Sequence, residues 1–276
     1  MERGPGGEAD EARLKMGHSQ GCRYVRIAMI NVVLAFMIIG SFLVAVIIHE
    51  FGHSLMASLL GDPTPRSEGR LSLSLRSHID PVGTLLCVIL AFFPVAAGPV
   101  GLGWGKPVKV DPWKLRGGPN GGTLLVSVAG MLMSLVVGLL FALVLHFLPS
   151  ALLNNGITAP ITNSLTARIT QLIIVFASVN ISLAIFNLIP LYPLDGYQIV
   201  YTLLPSRQAV QFARSAPYGP FIILAVLFLL PFLGQISGLG SFFLFHIPQY
   251  ILLGSLNLIG LVSGLPLGGI GQVYFF

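Results

Sequence analysis

The chain has 276 residues, 54% of them hydrophobic and only 9% charged, and a mean hydropathy of +0.86. Those values exclude a water-soluble globular domain and define an integral membrane protein. The net charge of +5 lies in loops rather than in arrays interleaved with aromatics, which excludes a nucleic-acid surface and reads as topology-setting charge.

Residues 1–26 are polar, glycine-rich and of mixed charge. They read as a mobile tail rather than a secretory leader, and residues 27–276 as a single membrane-embedded domain. Apolar segments of the ~20 residues needed to cross a bilayer fall near 30–60, 82–103, 124–148, 169–189, 218–233 and 242–262. The fold class expected is an all-α polytopic membrane protein with five or six transmembrane helices. The first run, about 34 residues counted from Ile27, exceeds the ~30 Å hydrocarbon core at ~1.5 Å per residue. Its C-terminal part must therefore leave the bilayer or enter protein interior. Gly61-Asp62-Pro63 ends it.

Next comes Gly69-Arg70-Leu71-Ser72-Leu73-Ser74-Leu75-Arg76, whose strict Leu/Ser alternation is a strand signal. One strand alone leaves its backbone groups unpaired, so a short β-hairpin at the membrane edge is expected, its edge suited to holding an extended peptide. Pro94, Gly98, Pro99, Gly101 and Gly103 crowd the second half of 82–103, the composition of a re-entrant segment rather than an unbroken span. Cys22 and Cys87 fit no metal spacing, and Cys87 reads as packing within an apolar run.

The chemistry is concentrated in His49-Glu50-Phe51-Gly52-His53, at the end of the first span. Histidines four apart share one helix face and can hold one metal, and the glutamate after the first can act on water at that metal. Placing a carboxylate and two imidazoles in or beside hydrocarbon costs several kcal/mol unless metal or water receives them, which favours a functional reading. A catalytic zinc usually takes three protein ligands. Of the ten acidic residues, Glu50 and Asp195 directly adjoin an apolar span, and the prolines of Asn187-Leu188-Ile189-Pro190-Leu191-Tyr192-Pro193-Leu194-Asp195-Gly196 break the helix so as to aim Asp195 inward. His78, His146 and His246 are rival ligands.

With these motifs in hand, the chain resembles the site-2 protease family of intramembrane zinc metalloproteases. The matching stretches are His49–His53, Ala129-Gly130, and Asn187 to Gly196. His78-Ile79-Asp80-Pro81-Val82-Gly83-Thr84 and Gly103-Trp104-Gly105-Lys106-Pro107-Val108 look like the compact bacterial branch without fused PDZ or CBS domains. The resemblance implies one zinc per chain held by His49, His53 and Asp195, with Glu50 as the catalytic glutamate and Asn187 facing the substrate backbone. Asn187 or His78 would steady the oxyanion. It also implies substrates that are transmembrane proteins or peptides, such as anti-sigma factors or remnant signal peptides, and a multi-pass protein of the bacterial cytoplasmic membrane. One departure stands out: the family often reads A-G-P-x-x-N where this chain has Ala129-Gly130-Met131-Leu132-Met133-Ser134. That substitution weakens the expectation of a polar substrate contact from this helix.

Topology follows from the ligands. His49, His53 and Asp195 lie toward the C-terminal ends of their spans, so antiparallel spans would separate them by a ~30 Å core. The two spans must be parallel with an odd number of crossings between them, which makes 82–103 the segment that does not cross. Arg66, Arg70, Arg76, Lys106, Lys109, Lys114 and Arg116 then share the cytoplasmic side with the site, and the loop 149–166, without Lys or Arg, lies outside. The tail, with five basic residues against four acidic ones, does not follow the same rule. A metal-binding membrane transporter without protease activity is the alternative; it would want ionisable groups spread along the spans, whereas here they converge. A di-iron oxygenase would need more histidines than the six present.

Overall fold

The computed structural model describes residues 6–92, 99–148, 165–237 and 243–275. Among them, five helices are long and apolar enough to cross a membrane: Val32–Leu59, Gly118–Phe147, Ala167–Phe186, Ser206–Gly234 and Phe243–Ser263. The first is the apolar part of a longer helix, α1 (Gly6–Leu59). α2 is Pro81–Phe92, α3 Gly118–Phe147, α4 Leu165–Phe186, α5 Asp195–Leu203 and α6 Ile247–Ser263. α1 ends where the sequence says it should, just before Gly61-Asp62-Pro63. Gly61 takes φ +100° just beyond α1, and Gly264 takes φ +74° just beyond α6, a left-handed turn that a β-carbon disfavours.

Helices α1, α3 and α4 pack against one another, with α6 on the far side and α5 against α3. Phe42, Leu145, Ile174, Ile181 and Phe186 are fully buried between them. Small residues allow the close approach, as membrane helices require when lipid offers no hydrophobic drive: a β-carbon at Gly138 of α3 would sit 2.6 Å from Ile181 of α4. The opposite face of α3, with Leu125, Leu132, Val136 and Leu140 exposed, is apolar without being core, as a lipid-facing surface is.

α2 has 12 residues and at ~1.5 Å each reaches only about 18 Å, short of the hydrocarbon core. The chain then comes back along it. Val100 N–H donates to Leu90 O at 3.3 Å, Lys106 N–H donates to His78 O at 2.8 Å, and Ile79 and Gly105 form an isolated antiparallel bridge. A β-carbon at Gly103 would strike the carbonyl of Gly83, and one at Gly83 the backbone of Trp104, so neither position could carry one. Residues 93–98, with Pro94 and Gly98, lie outside the described residues, as do most of the residues 149–166 and the side chain of Cys22. Among the described residues, α3 is the one helix between α1 and α4 long and apolar enough to cross a membrane.

The expected hairpin at Gly69–Arg76 is not there. No sheet forms among the described residues; residues 69–72 are a turn and bend, and Leu75–His78 is a single helical turn. The serines explain it. Ser72 Oγ donates to Gly69 O at 2.6 Å and Ser77 Oγ to Ser74 O at 2.7 Å, local bonds that compete with a ladder. Gly69 at φ +69° starts the turn, and Leu73 is left 70% exposed. The loop is instead pinned from inside. Arg70, buried, donates to the carbonyls of Ser77, Lys106 and Pro107. Asp62 accepts from Thr64 N–H, Thr64 Oγ1 and Asp111 N–H. Burial works to raise the Asp62 carboxyl, but these donors outweigh it and hold the group below the usual carboxylate range.

Candidate active site

The H-E-x-x-H motif lies on the inner face of α1, where His49, Glu50 and His53 are 4–6% exposed. Asp195 arrives from the other direction. α4 ends at Phe186, the chain turns through the proline segment, and α5 begins at Asp195 itself. Asn187 makes that turn: its Nδ2 donates to Leu183 O at 2.8 Å, its Oδ1 accepts from Asp195 N–H at 3.5 Å, and its carbonyl accepts from Gly196 N–H at 2.6 Å. Gly196 lies against the carbonyls of Leu188 and Ile189, where no β-carbon fits. The Asn, the prolines and the Gly thus form one device that presents a carboxylate.

Asp195 Oδ2 lies 2.9 Å from His49 Nε2, and Oδ1 lies 3.2 Å from His53 Nε2. One ligand atom from each residue falls within 4.8 Å of the other two. Burial would raise the Asp195 carboxyl, but the facing imidazoles of His53 and His49 outweigh it and keep the group ionised. Both histidines are oriented through their other nitrogen. His53 Nδ1–H donates to Val126 O at 2.7 Å, and His49 Nδ1 is hydrogen-bonded to Ser134 Oγ at 3.0 Å. Each ring is held with Nε2 inward, the arrangement that metal-binding histidines generally adopt. Glu50 Oε2 is buried without a hydrogen-bond partner. Two imidazole nitrogens, a carboxylate oxygen and an orphaned carboxylate next to them form a donor set suited to a zinc ion and a water.

A cavity of about 240 Å³ opens over this group. His49, Glu50, His53, Asp195 and Asn187 all line it, together with Gly105 from the returning chain. A β-carbon at Gly105 would come within 2.6 Å of Glu50 Oε1, so the glycine lets the backbone lie over the glutamate. His78 is not brought to the cavity. It is fully buried, with Nε2–H donating to Arg70 O at 3.1 Å and Nδ1 lying 2.9 Å from Ser74 O and 2.8 Å from Ser77 Oγ. The other rivals are distant as well: His146 Nδ1–H donates to Ser263 O, and His246 pairs with Gln249.

Three contributors escaped the sequence reading. Ser134, which stands where the family often has asparagine, supports His49. The Val126 carbonyl supports His53. Gly130 lies under His53, whose ring a β-carbon there would strike. Only Ala129-Gly130 carried a signal, as a small-residue pair at a helix contact.

A His-His-Asp group beside a buried glutamate, with its histidine pair on a helix long and apolar enough to cross a membrane, is the arrangement of a membrane metallopeptidase. Peptidase family M50 matches residues 35–230, a stretch holding His49, Glu50, His53 and Asp195, and the chain belongs to that family of metalloproteases. It is similar to YwhC of Bacillus subtilis (strain 168), described as a candidate zinc metalloprotease, at 29% identity over 189 residues, or 68% of this chain and 78% of that one. No solved structure matches the chain.

Proposed function

We propose that this chain is an intramembrane zinc metalloprotease of the site-2 type, cleaving peptide bonds within or near transmembrane segments of other membrane proteins. The observation that carries this is the convergence of His49 and His53, on a helix long and apolar enough to cross a bilayer, with Asp195 and with a Glu50 carboxylate whose Oε2 has no hydrogen-bond partner. One zinc per chain would be held by His49 Nε2, His53 Nε2 and an Asp195 oxygen. When bound, it supplies Lewis-acid polarisation of the scissile carbonyl and of water. Glu50 takes the proton of the attacking water at Oε2 and delivers it to the leaving amine nitrogen. Ser134 and the Val126 carbonyl hold the two rings, and Asn187 holds Asp195. A helical substrate hides its scissile bond in i→i−4 bonding, so it must unwind before reaching the cavity.

The same reading keeps residues 1–26 as a tail and 27–276 as one domain. It places the protein in the bacterial cytoplasmic membrane with the site toward the cytoplasm, where the cations of residues 66–116 cluster, and with 82–103 as a re-entrant segment. A transport function is not favoured, because the buried ionisable groups gather at one place rather than along a path.

The test is reconstitution in liposomes with a single-span model substrate. Cleavage is expected from the wild type and a fall of about 10²–10⁴-fold in Glu50→Gln, with zinc retained in the variant. Zinc flux without cleavage, or unchanged turnover in Glu50→Gln, would overturn the reading.

A further inference from the structure

An unwound substrate segment brings bare peptide groups into a site where lipid and protein offer few partners, and each unpaired group is costly. Something in the cavity has to receive them. The carboxamides that line it are Asn187 and Gln198. Asn187 is hydrogen-bonded at both ends, to Leu183 O and from Asp195 N–H, which holds its carboxamide beside Asp195. Thr123 Oγ1 donates to Pro119 O. The tyrosines of the lining, Tyr192 and Tyr197, meet edge to face at 5.7 Å and present ring surface.

Gln198 differs. It is half-buried, lines the cavity, and makes no side-chain hydrogen bond among the described residues. It lies three residues after Asp195 on α5 (Asp195–Leu203), and residues three apart are neighbours on a helix face. The Asn187 bonds that fix Asp195 fix the start of the same helix, so Gln198 is held in register with the ligand. A carboxamide has the donor and acceptor pattern of a peptide group, so one side chain can meet both the N–H and the C=O of an extended residue.

We propose that Gln198 binds the substrate backbone: its carboxamide pairs with the peptide group of an unwound residue flanking the scissile bond, aligning that bond over Glu50 and the metal ligands. The assignment rests on the protease reading above and deepens it. It makes the recognised feature main chain rather than side chain, so the site accepts any apolar segment that can unwind and discriminates against one that cannot present a free peptide group. Gln198 holds no metal and moves no proton.

The test is a double-mutant cycle with zinc-loaded protein in liposomes. Gln198→Leu removes both hydrogen-bonding ends at similar bulk. A series of model substrates carries one amide-to-ester replacement at each position around the cleaved bond, deleting one N–H at a time. Gln198→Leu is expected to lower kcat/KM by roughly five- to hundredfold, the range for leaving a partner unpaired, with zinc content and melting temperature unchanged. One ester position should slow the wild type by a similar factor and leave Gln198→Leu unaffected. Equal turnover in Gln198→Leu and wild type, or ester losses identical in both proteins at every position, would overturn the proposal. Gln198→Met replaces the leucine variant if that one unfolds. Peptide binding to Glu50→Gln protein, with and without Gln198→Leu, reads the same contact without turnover. If the wild type cleaves nothing while that binding still depends on Gln198, the protease reading fails and the backbone contact stands.

Discussion

The helix-borne site and the loop beside it contain buried histidines in opposite conditions. On α1, His49 and His53 each give Nδ1 to the protein, at Ser134 Oγ and Val126 O, and keep Nε2 facing Asp195. In the loop, His78 is more deeply buried, yet both of its ring nitrogens are engaged by its own segment, at Ser74 O and Arg70 O. Burial and residue type are alike; what differs is whether a ring nitrogen is left over. A rigid helix face can aim one nitrogen and spend the other, whereas a short loop must use both to satisfy its own carbonyls.

That contrast can be broken most severely at the ligands. His53→Ala and Asp195→Ala should each lose nearly all bound zinc after dialysis against a chelator, measured by metal analysis of purified protein. Full occupancy in Asp195→Ala would demote the carboxylate to a supporting role. One step outward, Ser134→Ala should weaken zinc affinity by roughly 10–100-fold in a chelator competition assay, because His49 loses the partner that fixes its ring. Ser134→Asn, with a polar group in reach of the same nitrogen, should recover part of it.

On the loop side the prediction reverses. His78→Ala should leave zinc content at the wild-type level while costing about 1–3 kcal/mol of stability through unpaired carbonyls, read as a lower melting temperature in detergent. Zinc loss in that variant would erase the distinction between the two regions. The smallest effect belongs to Leu73→Pro. The residue is exposed and outside any ladder, so cleavage should stay within about twofold of wild type, as for surface changes away from packed features. A large loss would mean that this segment pairs with substrate after all.

Much of this was readable in the chain before any coordinates. The spans emerge because hydrocarbon tolerates only long apolar runs, and the ligands because H-E-x-x-H fixes two imidazoles on one helix face and the proline-rich turn before Asp195 has few other purposes. What the sequence hid was tertiary. Leu/Ser alternation over 69–76 has the period of a strand, but period carries no information about a partner, and serines that bond their own carbonyls form turns equally well. The role of Ser134 was invisible because nothing local distinguishes a serine that supports a histidine 85 positions away from one that packs.

The separation of the ligands along the chain has a consequence for synthesis. His49 and Asp195 are 146 residues apart, with α3 and α4 between them, and polypeptides emerge from the N-terminus onward. While α1 and α3 are already made, the growing chain carries the imidazole pair and Glu50 but no third donor. On the proposed function, such a nascent chain still lacks the set needed to cleave segments inserting beside it. On that same reading, activity would begin only after the third of the five candidate spans, Ala167–Phe186, has been followed by the turn at Asn187, so that Asp195 acts as a built-in delay that protects the membrane in which the protein is assembled.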